Sequence, residues 1–260
     1  MAYGYEEFKA DAYKLTKVDL NAYKEQQMKR RISNLITKHG LKGFDEYTQK
    51  LRTDKDMLEE FLNYFTINVS EFYRNPDQWK MMDKDVIPEL IEKFGKNLKI
   101  WSAACSTGDE PYSLVMALSK HIPLNQIRIY ATDIDKTVIQ KAQTGLYAEK
   151  SIAGVPDDLK KRYFTKIGNS YQISEEIKSR VTFRQHNLIL NDYQKDFNFI
   201  VCRNVLIYFT EEAKDDVFKK FYQSLKPGGV LFIGSTEQIN NYKQIGYVRK
   251  SSFYYERPAK

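Results

Sequence analysis

The chain has 260 residues, of which 42% are hydrophobic and 29% are charged, and its formal net charge is +7. This composition is that of an ordinary folded protein and argues against a disordered or membrane-embedded class. The length allows one full α/β domain and a smaller second domain, because single cores commonly close within about 100–200 residues. The positive charge favours an acidic partner, which could be nucleic acid, an anionic membrane surface or a carboxylate-rich protein.

Cysteine usage and hydropathy predict a compartment. Cys105 and Cys202 lie in apolar runs without metal-ligand or paired spacing, so we interpret them as reduced, buried thiols. Residues 1–13 lack the basic and then apolar pattern of a signal peptide, and no apolar run approaches the roughly 20 residues that span a bilayer. We therefore expect a cytoplasmic protein with no inserted membrane segment.

From Tyr5 to about Phe65 the apolar residues recur at helical spacing without proline, which predicts a small all-helical domain. The segment after Asp19 is predicted to be helical and to end at Gly40, with one apolar face and a basic outer surface. A charge run is usually a solvated face, so docking of a partner is a second interpretation beside that one. The cations on this surface include Lys29, Arg30 and Arg31.

The helical pattern breaks near Asn75-Pro76, which predicts an N-terminal domain and linker at 1–75 and a second domain at 76–260. From Leu98 onward, short apolar strands alternate with helical segments, as is typical of βαβ units. We therefore predict an α/β fold with a doubly wound, mainly parallel sheet. Between about 145 and 186 the alternation lapses, and two short antiparallel strands predicted within 169–186 indicate a small β insert.

The first strand of this second domain ends in a loop of small residues, which would let a ligand approach the backbone. The loop lacks the G-x-G-x-x-G pattern of a pyrophosphate cradle, so by itself it is equally consistent with a tight turn. The next strand ends at Asp133, where doubly wound domains place the acid that binds ribose hydroxyls. A helix N-cap is the alternative for Asp133 and the preferred role for Asp135. Loop and acid together favour S-adenosylmethionine over a nicotinamide dinucleotide.

Several separated segments resemble one family. The LKPGG run at 225–229, before an apolar strand, resembles an element of many class I methyltransferases. HNL at 186–188 and GSTEQ at 234–238 match as well. The resemblance is to the CheR family of chemotaxis receptor methyltransferases, and its most specific segments are TINVSEFYRN at 66–75, IWSAACSTGDEPYSL at 100–114, ATDID at 131–135 and FIVCRNVLIYF at 199–209.

The resemblance extends over nearly the whole chain and implies an enzyme. Its reaction would transfer a methyl group from S-adenosylmethionine to glutamate carboxylates of chemoreceptors, leaving S-adenosylhomocysteine. A glutamate with a pKa of about 4.3 is ionised at pH 7, so no general base is required. Catalysis would then rest on alignment and on removal of water from the nucleophile.

The resemblance also implies roles for individual residues. Glu110 and Asp133 would anchor the adenosine, whereas Asp109 departs mildly from the family, in which glutamate is common at that position. Arg74 and the Tyr208 hydroxyl are the candidate catalytic groups and would hold the substrate carboxylate. The implied cofactor-binding residues are Asn68, Ser70, Arg74, Glu110, Asp133, Asn187, Leu188, Asn204 and Val205.

Structural alternatives accompany these roles. Asn68 and Ser70 could cap a helix, Arg74 could form a surface ion pair, and Tyr208 could be packed core. The histidines are scattered without ligand spacing, so we expect no metal site.

Other functions also stay open at this point. One is a methyltransferase of nucleic acid or of a small molecule, although the sequence shows no interleaved aromatic and basic residues that would require an RNA-binding surface. Another is a cofactor-sensing module without turnover. The favoured hypothesis is a monomer, recruited to membrane receptor arrays, that docks receptor methylation helices on Lys29, Arg30 and Arg31 and binds no nucleic acid.

Overall fold

A computed structural model of the protein describes residues 3–66 and 70–259. The chain divides into two compact units, which we call the helical unit and the sheet unit. The helical unit comprises Met1–Ile67 and Leu206–Val217, and the sheet unit comprises Asn68–Val205 and Phe218–Lys260. Across the described ranges, none of the helices combines the length and the apolar character needed to traverse a bilayer.

The helical unit confirms the predicted all-helical N-terminal region. The aromatic rings of Phe8, Tyr47 and Phe61 pack together in its core, with centroids about 6 Å apart. The helix predicted after Asp19 is observed as a 3₁₀ turn at Leu20–Ala22 followed by an α-helix. The α-helices are α1 (Tyr5–Thr16), α2 (Glu25–Lys38), α3 (Phe44–Thr53) and α4 (Lys55–Phe65).

The sheet unit contains the predicted mainly parallel sheet, which has seven strands. Five neighbouring strands run parallel, and a C-terminal hairpin adds two antiparallel strands at one edge. The strands, in spatial order, are β6 (Val181–Gln185), β2 (Ile129–Asp133), β1 (Ile100–Ala103), β7 (Phe197–Cys202), β8 (Leu225–Ile233), β10 (Tyr254–Glu256) and β9 (Val248–Arg249).

The order of these strands locates the ligand-binding edge. Every residue of β1 and β7 is buried, as expected for parallel strands covered on both faces. The chain order reverses between these two strands, and ligands of open α/β sheets bind at the carboxyl ends beside such a reversal. The residues that follow β1, β2, β6 and β7 therefore form the expected site.

Helices connect the strands of this unit. A π-helical turn at Met82–Val86 joins the first two helices of this unit end to end. The helices are α5 (Pro76–Met81), α6 (Ile87–Phe94), α7 (Asp109–Leu118), α8 (Lys136–Thr144), α9 (Asp157–Tyr163), α10 (Glu175–Lys178), α11 (Glu211–Ser224), which begins in the helical unit, and α12 (Tyr242–Ile245).

The predicted β insert is present, but the pairing of its strands differs from the prediction. The insert is a three-stranded antiparallel sheet of β3 (Leu146–Ala148), β5 (Ser170–Ile173) and β4 (Phe164–Ile167). The second predicted insert strand is β6, which pairs parallel with β2 in the main sheet. The prediction was wrong here because Gly168, with φ +58°, closes a hairpin between β4 and β5 and so supplies β5 with its neighbour.

Two strand limits do not coincide with the limits of the apolar runs in the sequence. The apolar run 199–209 continues β7 only to Cys202, and Leu206–Tyr208 forms a 3₁₀ turn instead. Strand β8 begins at Leu225, so the LKPGG run at 225–229 lies inside the strand and not before it. The strand accommodates the two glycines through a register shift opposite Phe197 and Phe199.

Candidate functional site

The loop after β1 is held in an unusual backbone conformation. Ala104 and Ser106 have φ values of +60° and +48°, in the region that glycine normally occupies. Gly108 has φ +89°, and a Cβ there would lie 2.8 Å from Ala142 Cβ, so glycine is required. A sparsely populated backbone that the surroundings maintain is a frequent feature of ligand sites.

Asp133, at the end of β2, fixes this loop. Its carboxylate accepts hydrogen bonds from the backbone N–H groups of Ser106 at 2.8 Å and Asp135 at 3.0 Å. Burial raises the pKa of Asp133 to about 6, and those backbone hydrogen bonds oppose the rise. Asp135 acts as the N-cap of α8, as predicted.

Glu110 lies in the first turn of α7, where its side chain is 14% exposed. Ser102 Oγ donates to Glu110 Oε1 at 2.8 Å, and Arg203 Nη1 lies 3.7 Å from Glu110 Oε2. Burial raises the pKa of Glu110 to about 7, while Arg203 acts in the opposite direction. The carboxyl group therefore titrates near neutral pH.

Arg203 is a buried cation that connects several segments. Its Nη2 donates to the backbone carbonyl of Arg74 at 2.8 Å and to Gln78 Oε1 at 2.6 Å. Its guanidinium carbon lies 4.8 Å from the centre of the Phe232 ring. Burial lowers the pKa of Arg203, and its pairing with Glu110 opposes this effect. Through Arg203, the segment that carries Arg74 is fastened to the carboxyl end of β7.

The turn after β7 is organised by Glu237. Its carboxylate accepts hydrogen bonds from the N–H groups of Asn204 at 2.9 Å, Val205 at 3.1 Å and Gly234 at 2.7 Å. Asn204 has φ +60°, and a Cβ at Gly234 would come within 2.7 Å of Glu237 Oε2. The backbone of the predicted cofactor residues Asn204 and Val205 is therefore held by one buried carboxylate.

The turn after β6 contains the predicted residues Asn187 and Leu188. Asn187 Oδ1 accepts a hydrogen bond from the N–H of Ile189 at 2.9 Å, and Leu188 is buried. His186 N–H donates to the backbone carbonyl of Asp133 at 2.8 Å, which joins this turn to the end of β2. Asn187 and Leu188 thus lie at the same sheet edge as Asp133.

The remaining predicted residues are placed differently. Ser70 hydrogen-bonds to the buried Asp109, whose pKa burial raises. Tyr208 belongs to the helical unit, where its backbone carbonyl accepts a hydrogen bond from the N–H of Lys24 at 2.9 Å. Asn68 lies outside the described residues. The structure therefore brings together Glu110, Asp133, Asn187, Leu188, Asn204 and Val205, with Ser70 beside Asp109 and the Arg74 backbone beside Arg203.

Unsatisfied polar atoms provide a test of whether this edge fits a polar ligand. Within the described ranges, Ser106 Oγ, Asp109 Oδ1 and Asn204 Oδ1 are buried and have no hydrogen-bond partner in the protein. Buried polar atoms normally have partners, so these three are available to a ligand. A nucleoside with an amino acid tail, such as S-adenosylmethionine, carries suitable donors.

Arg203 and Glu237 are not among the predicted site residues. Arg203 follows six buried strand residues, and a charged residue at such a position is seldom buried unless it is paired. That signal could have identified it. Glu237 lies in a polar run, and nothing local distinguishes it from a surface glutamate.

The fold and the site define a class of protein. Three features are those of a class I S-adenosylmethionine-dependent methyltransferase. They are the parallel sheet with antiparallel β10 between β8 and β9, the acid at the end of β2, and the loop after β1 that lacks a pyrophosphate cradle. Comparison with known proteins agrees with this assignment. The family model described as CheR methyltransferase, SAM binding domain, matches residues 68–254, and the CheR methyltransferase all-alpha domain matches residues 4–66.

Curated relatives give the particular family. A chemotaxis protein methyltransferase of Listeria innocua is 42% identical over 238 residues, which cover 92% of this chain and 91% of the relative. Chemotaxis protein methyltransferase 1 of Pseudomonas aeruginosa is 34% identical, with 91% of this chain and 90% of the relative covered. The chain belongs to the CheR family of chemotaxis protein methyltransferases and uses S-adenosylmethionine as its cofactor.

Cofactor affinity should depend on pH because of the raised carboxyl pKa values. With pKa values of about 7 for Glu110 and about 6 for Asp133, the unliganded protein holds protons there below neutral pH. A cationic ligand favours the ionised carboxylates, so binding must release these protons. We expect the affinity for S-adenosylmethionine to rise between pH 5.5 and pH 7.5, by up to about ten-fold per pH unit for each proton released.

Calorimetry in buffers of different ionisation enthalpy measures this proton release. Glu110→Gln should reduce the number of protons released near pH 6.5. An affinity that is constant across this pH range, with no proton release, would contradict the assignment of ionised carboxylates to the bound state.

Proposed function

We propose that this protein esterifies glutamate side chains on the cytoplasmic methylation helices of chemoreceptors, for sensory adaptation in chemotaxis. The observation that carries the proposal is the match of both regions of the chain to the CheR family, together with relatives named as chemotaxis protein methyltransferases. The protein would act from the cytoplasm on receptor arrays in the membrane.

The proposed reaction needs little acid or base chemistry. S-adenosylmethionine supplies a methyl group activated by a sulfonium sulfur. An oxygen of the substrate carboxylate forms the new bond to the methyl carbon, and the electron pair of the broken carbon–sulfur bond stays on sulfur. Because glutamate attacks as an anion, no proton is transferred and the protein must mainly align the reactants.

Arg74 is the proposed holder of the substrate carboxylate. Its charge influences the pKa of Glu110 and of Arg203, so its guanidinium belongs to the same electrostatic environment. The Arg74 backbone is fixed by Arg203, and Trp79 Nε1 also donates to the Arg74 carbonyl at 2.9 Å. A fixed backbone limits the positions of the guanidinium, which suits a bidentate pair with a carboxylate.

The cofactor residues have proposed roles that follow from these contacts. Glu110 and Asp133 would anchor the adenosine, and Asn187, Leu188, Asn204 and Val205 would line the adenine and methionine portions. Ser70, beside Asp109, would contact the cofactor from the segment that also carries Asn68 and Arg74.

The outer surface of α2 is the proposed receptor-docking surface, and its three predicted cations are not equivalent. Lys29 and Arg30 are exposed. Arg31 is partly buried, donates to the backbone carbonyl of Tyr64 and stacks on the Tyr64 ring at 4.5 Å. Arg31 therefore supports the packing of α2 against α4, and we assign the docking role to Lys29 and Arg30.

Reversing the charge of Lys29 and Arg30 tests this surface. The Lys29→Glu/Arg30→Glu variant should raise the KM for receptor severalfold, because it replaces attraction to acidic helices by repulsion. The effect should shrink as salt increases. Initial rates with receptor membranes at two ionic strengths provide the measurement.

The matched control is Lys50→Glu/Lys55→Glu, which makes an equal charge change at exposed lysines of α3 and α4. The affinity for S-adenosylhomocysteine should be unaffected in both variants. An equal rise in KM for the control would show that net charge, and not the α2 surface, governs the encounter.

The chemical identity of the product tests the proposed function. The protein is incubated with methyl-labelled cofactor and with membranes that contain overproduced chemoreceptor, or with RNA. Exposure to mild alkali should release labelled methanol from the receptor, because carboxyl esters hydrolyse under these conditions. Alkali-stable label, or label on RNA alone, would refute glutamate esterification.

A further inference from the structure

A tyrosine of the β insert binds the loop that follows β1. The hydroxyl of Tyr147, which lies in β3, donates a hydrogen bond to the backbone carbonyl of Thr107 at 2.7 Å. Both residues belong to the sheet unit, although 40 residues separate them in sequence. Tyr147 is buried, and burial, reinforced by the charge of Asp109, raises its pKa well above the ordinary value. The hydroxyl therefore stays protonated and remains a donor at neutral pH.

The loop needs support because its backbone is strained. Ala104 and Ser106 occupy the left-handed region without being glycine, a conformation that persists only where surrounding contacts impose it. One such contact is the hydrogen bond from the Ser106 N–H to the Asp133 carboxylate. The hydrogen bond from Tyr147 to Thr107 fixes the next residue of the same loop. The loop is thus held by the end of β2 and by the insert together.

Thr107 connects the insert to polar atoms that are available to a ligand. Its hydroxyl donates to Asp109 Oδ2 at 2.6 Å. The other oxygen of that carboxyl group, Oδ1, and the hydroxyl of Ser106 are buried without a hydrogen-bond partner in the part of the chain that the structure describes. A displacement of the Thr107 backbone would therefore move the groups that we expect to meet the cofactor.

The Tyr147 side chain is itself fixed in place. Its ring meets the Phe72 ring edge to face, with centroids 4.8 Å apart. Its backbone lies opposite Tyr171 in the antiparallel pair of β3 and β5. Gly108 leaves room for the hydroxyl, because a Cβ on that glycine would lie 3.2 Å from Tyr147 Oη. These contacts hold the hydroxyl against the Thr107 carbonyl.

We propose that Tyr147 is a positioning residue for S-adenosylmethionine, and that through it the β insert completes the cofactor site. Tyr147 acts through Thr107, by holding the loop after β1 in the conformation that binds the cofactor. This inference concerns the cofactor and goes beyond the proposed function, because it applies to any methyl acceptor. Its failure would leave glutamate esterification, which the alkali test addresses, unaffected.

Tyr147→Phe tests the proposal because it removes the hydroxyl and keeps the ring that packs on Phe72. If the loop then holds its binding conformation only about one tenth of the time, the Kd for S-adenosylhomocysteine should rise about ten-fold. Calorimetric titration measures this Kd.

The matched control is Tyr247→Phe. Tyr247 is also a buried tyrosine of the sheet unit, and its hydroxyl donates to the backbone carbonyl of Phe218 at 3.0 Å. Each variant loses one buried hydrogen bond, so the urea midpoints of the two should fall alike, but only Tyr147→Phe should bind S-adenosylhomocysteine more weakly. An unchanged Kd for Tyr147→Phe, or an equal rise in Kd for the control, would overturn the inference.

Hydrogen exchange locates the effect within the molecule. In unliganded Tyr147→Phe, the amides of residues 104–108 should exchange faster than in the wild-type protein, because the loop opens locally more often. The amides of β10, at the other side of the main sheet, should exchange at the wild-type rate. Equally accelerated exchange in the loop and in β10 would show general destabilisation and would contradict a positioning role.

The wild-type protein provides a test that does not require a variant to fold. If Tyr147 stabilises the binding conformation of the loop, an occupied site must stabilise the Tyr147 contact by the same free energy. S-adenosylhomocysteine should therefore slow exchange at residues 104–108 and also at 146–148 of β3, with no effect on β10. Protection of the loop without protection of β3 would overturn the inference.

Discussion

Replacement of Arg74 by alanine should lower kcat on receptor membranes by about 100-fold, because the proposed bidentate partner that aligns the substrate carboxylate is lost. Arg74→Lys should give an intermediate value, since an ammonium keeps the charge but not the planar pair of donors. The affinity for S-adenosylhomocysteine should change less than kcat, because the product complex contains no attacking carboxylate.

Arg184→Ala is the matched control for this experiment. Arg184 is an exposed arginine on β6, and its removal should leave turnover normal. Near-normal turnover of both Arg74 variants would remove Arg74 from the catalytic groups, and a fall confined to cofactor affinity would make it a cofactor residue only.

Replacement of Arg203 by methionine should destabilise the protein by about 3 kcal/mol. Breaking a buried ion pair from one side leaves the other charge uncompensated, which typically costs about 3–5 kcal/mol. The Arg203 side chain is 2% exposed, and Glu110 and Gln78 would both lose their contact with it. Urea unfolding of the unliganded protein measures the loss.

Glu110 gives this destabilisation a characteristic pH dependence. Without Arg203, the pKa of Glu110 rises further above its value of about 7, whereas in the unfolded state glutamate has its ordinary pKa of 4.5. Between these two pKa values the folded state therefore holds a proton that the unfolded state releases. Stability of Arg203→Met should therefore fall as pH rises from 6 to 8. The Arg203→Met/Glu110→Gln double variant should recover part of the loss and lack this dependence. Additive losses that do not vary with pH would contradict the coupling of these two residues.

Most of the fold follows from patterns that local sequence expresses. Helical periodicity without proline predicts α1 to α4. The continuous apolar runs of β1 and β7 predict a parallel sheet covered on both faces, and every residue of these two strands is buried. The strand pairing within 169–186 was predicted incorrectly for a different reason. The pairing of β6 with β2 depends on a contact about 50 residues away, which short-range alternation does not specify.

A site residue could be predicted from sequence where a characteristic residue type lies at the end of a predicted strand. Asp133 is the last residue of β2, and an acid there has a general role in doubly wound domains. Glu237 accepts hydrogen bonds from Asn204 and Val205, although it lies 33 and 32 residues after them. The association of Leu206–Val217 with the N-terminal helices is still more remote in sequence. Contacts of this kind arise from tertiary packing, and no local pattern encodes them.

Every proposed role depends on a cofactor site at the carboxyl ends of β1, β2, β6 and β7, and calorimetric titration of the protein with S-adenosylhomocysteine measures whether that site exists. One equivalent should bind per chain, and Asp133→Ala should weaken binding strongly while the two units stay folded. Absence of binding by the wild-type protein, or unchanged binding by Asp133→Ala, would contradict the account.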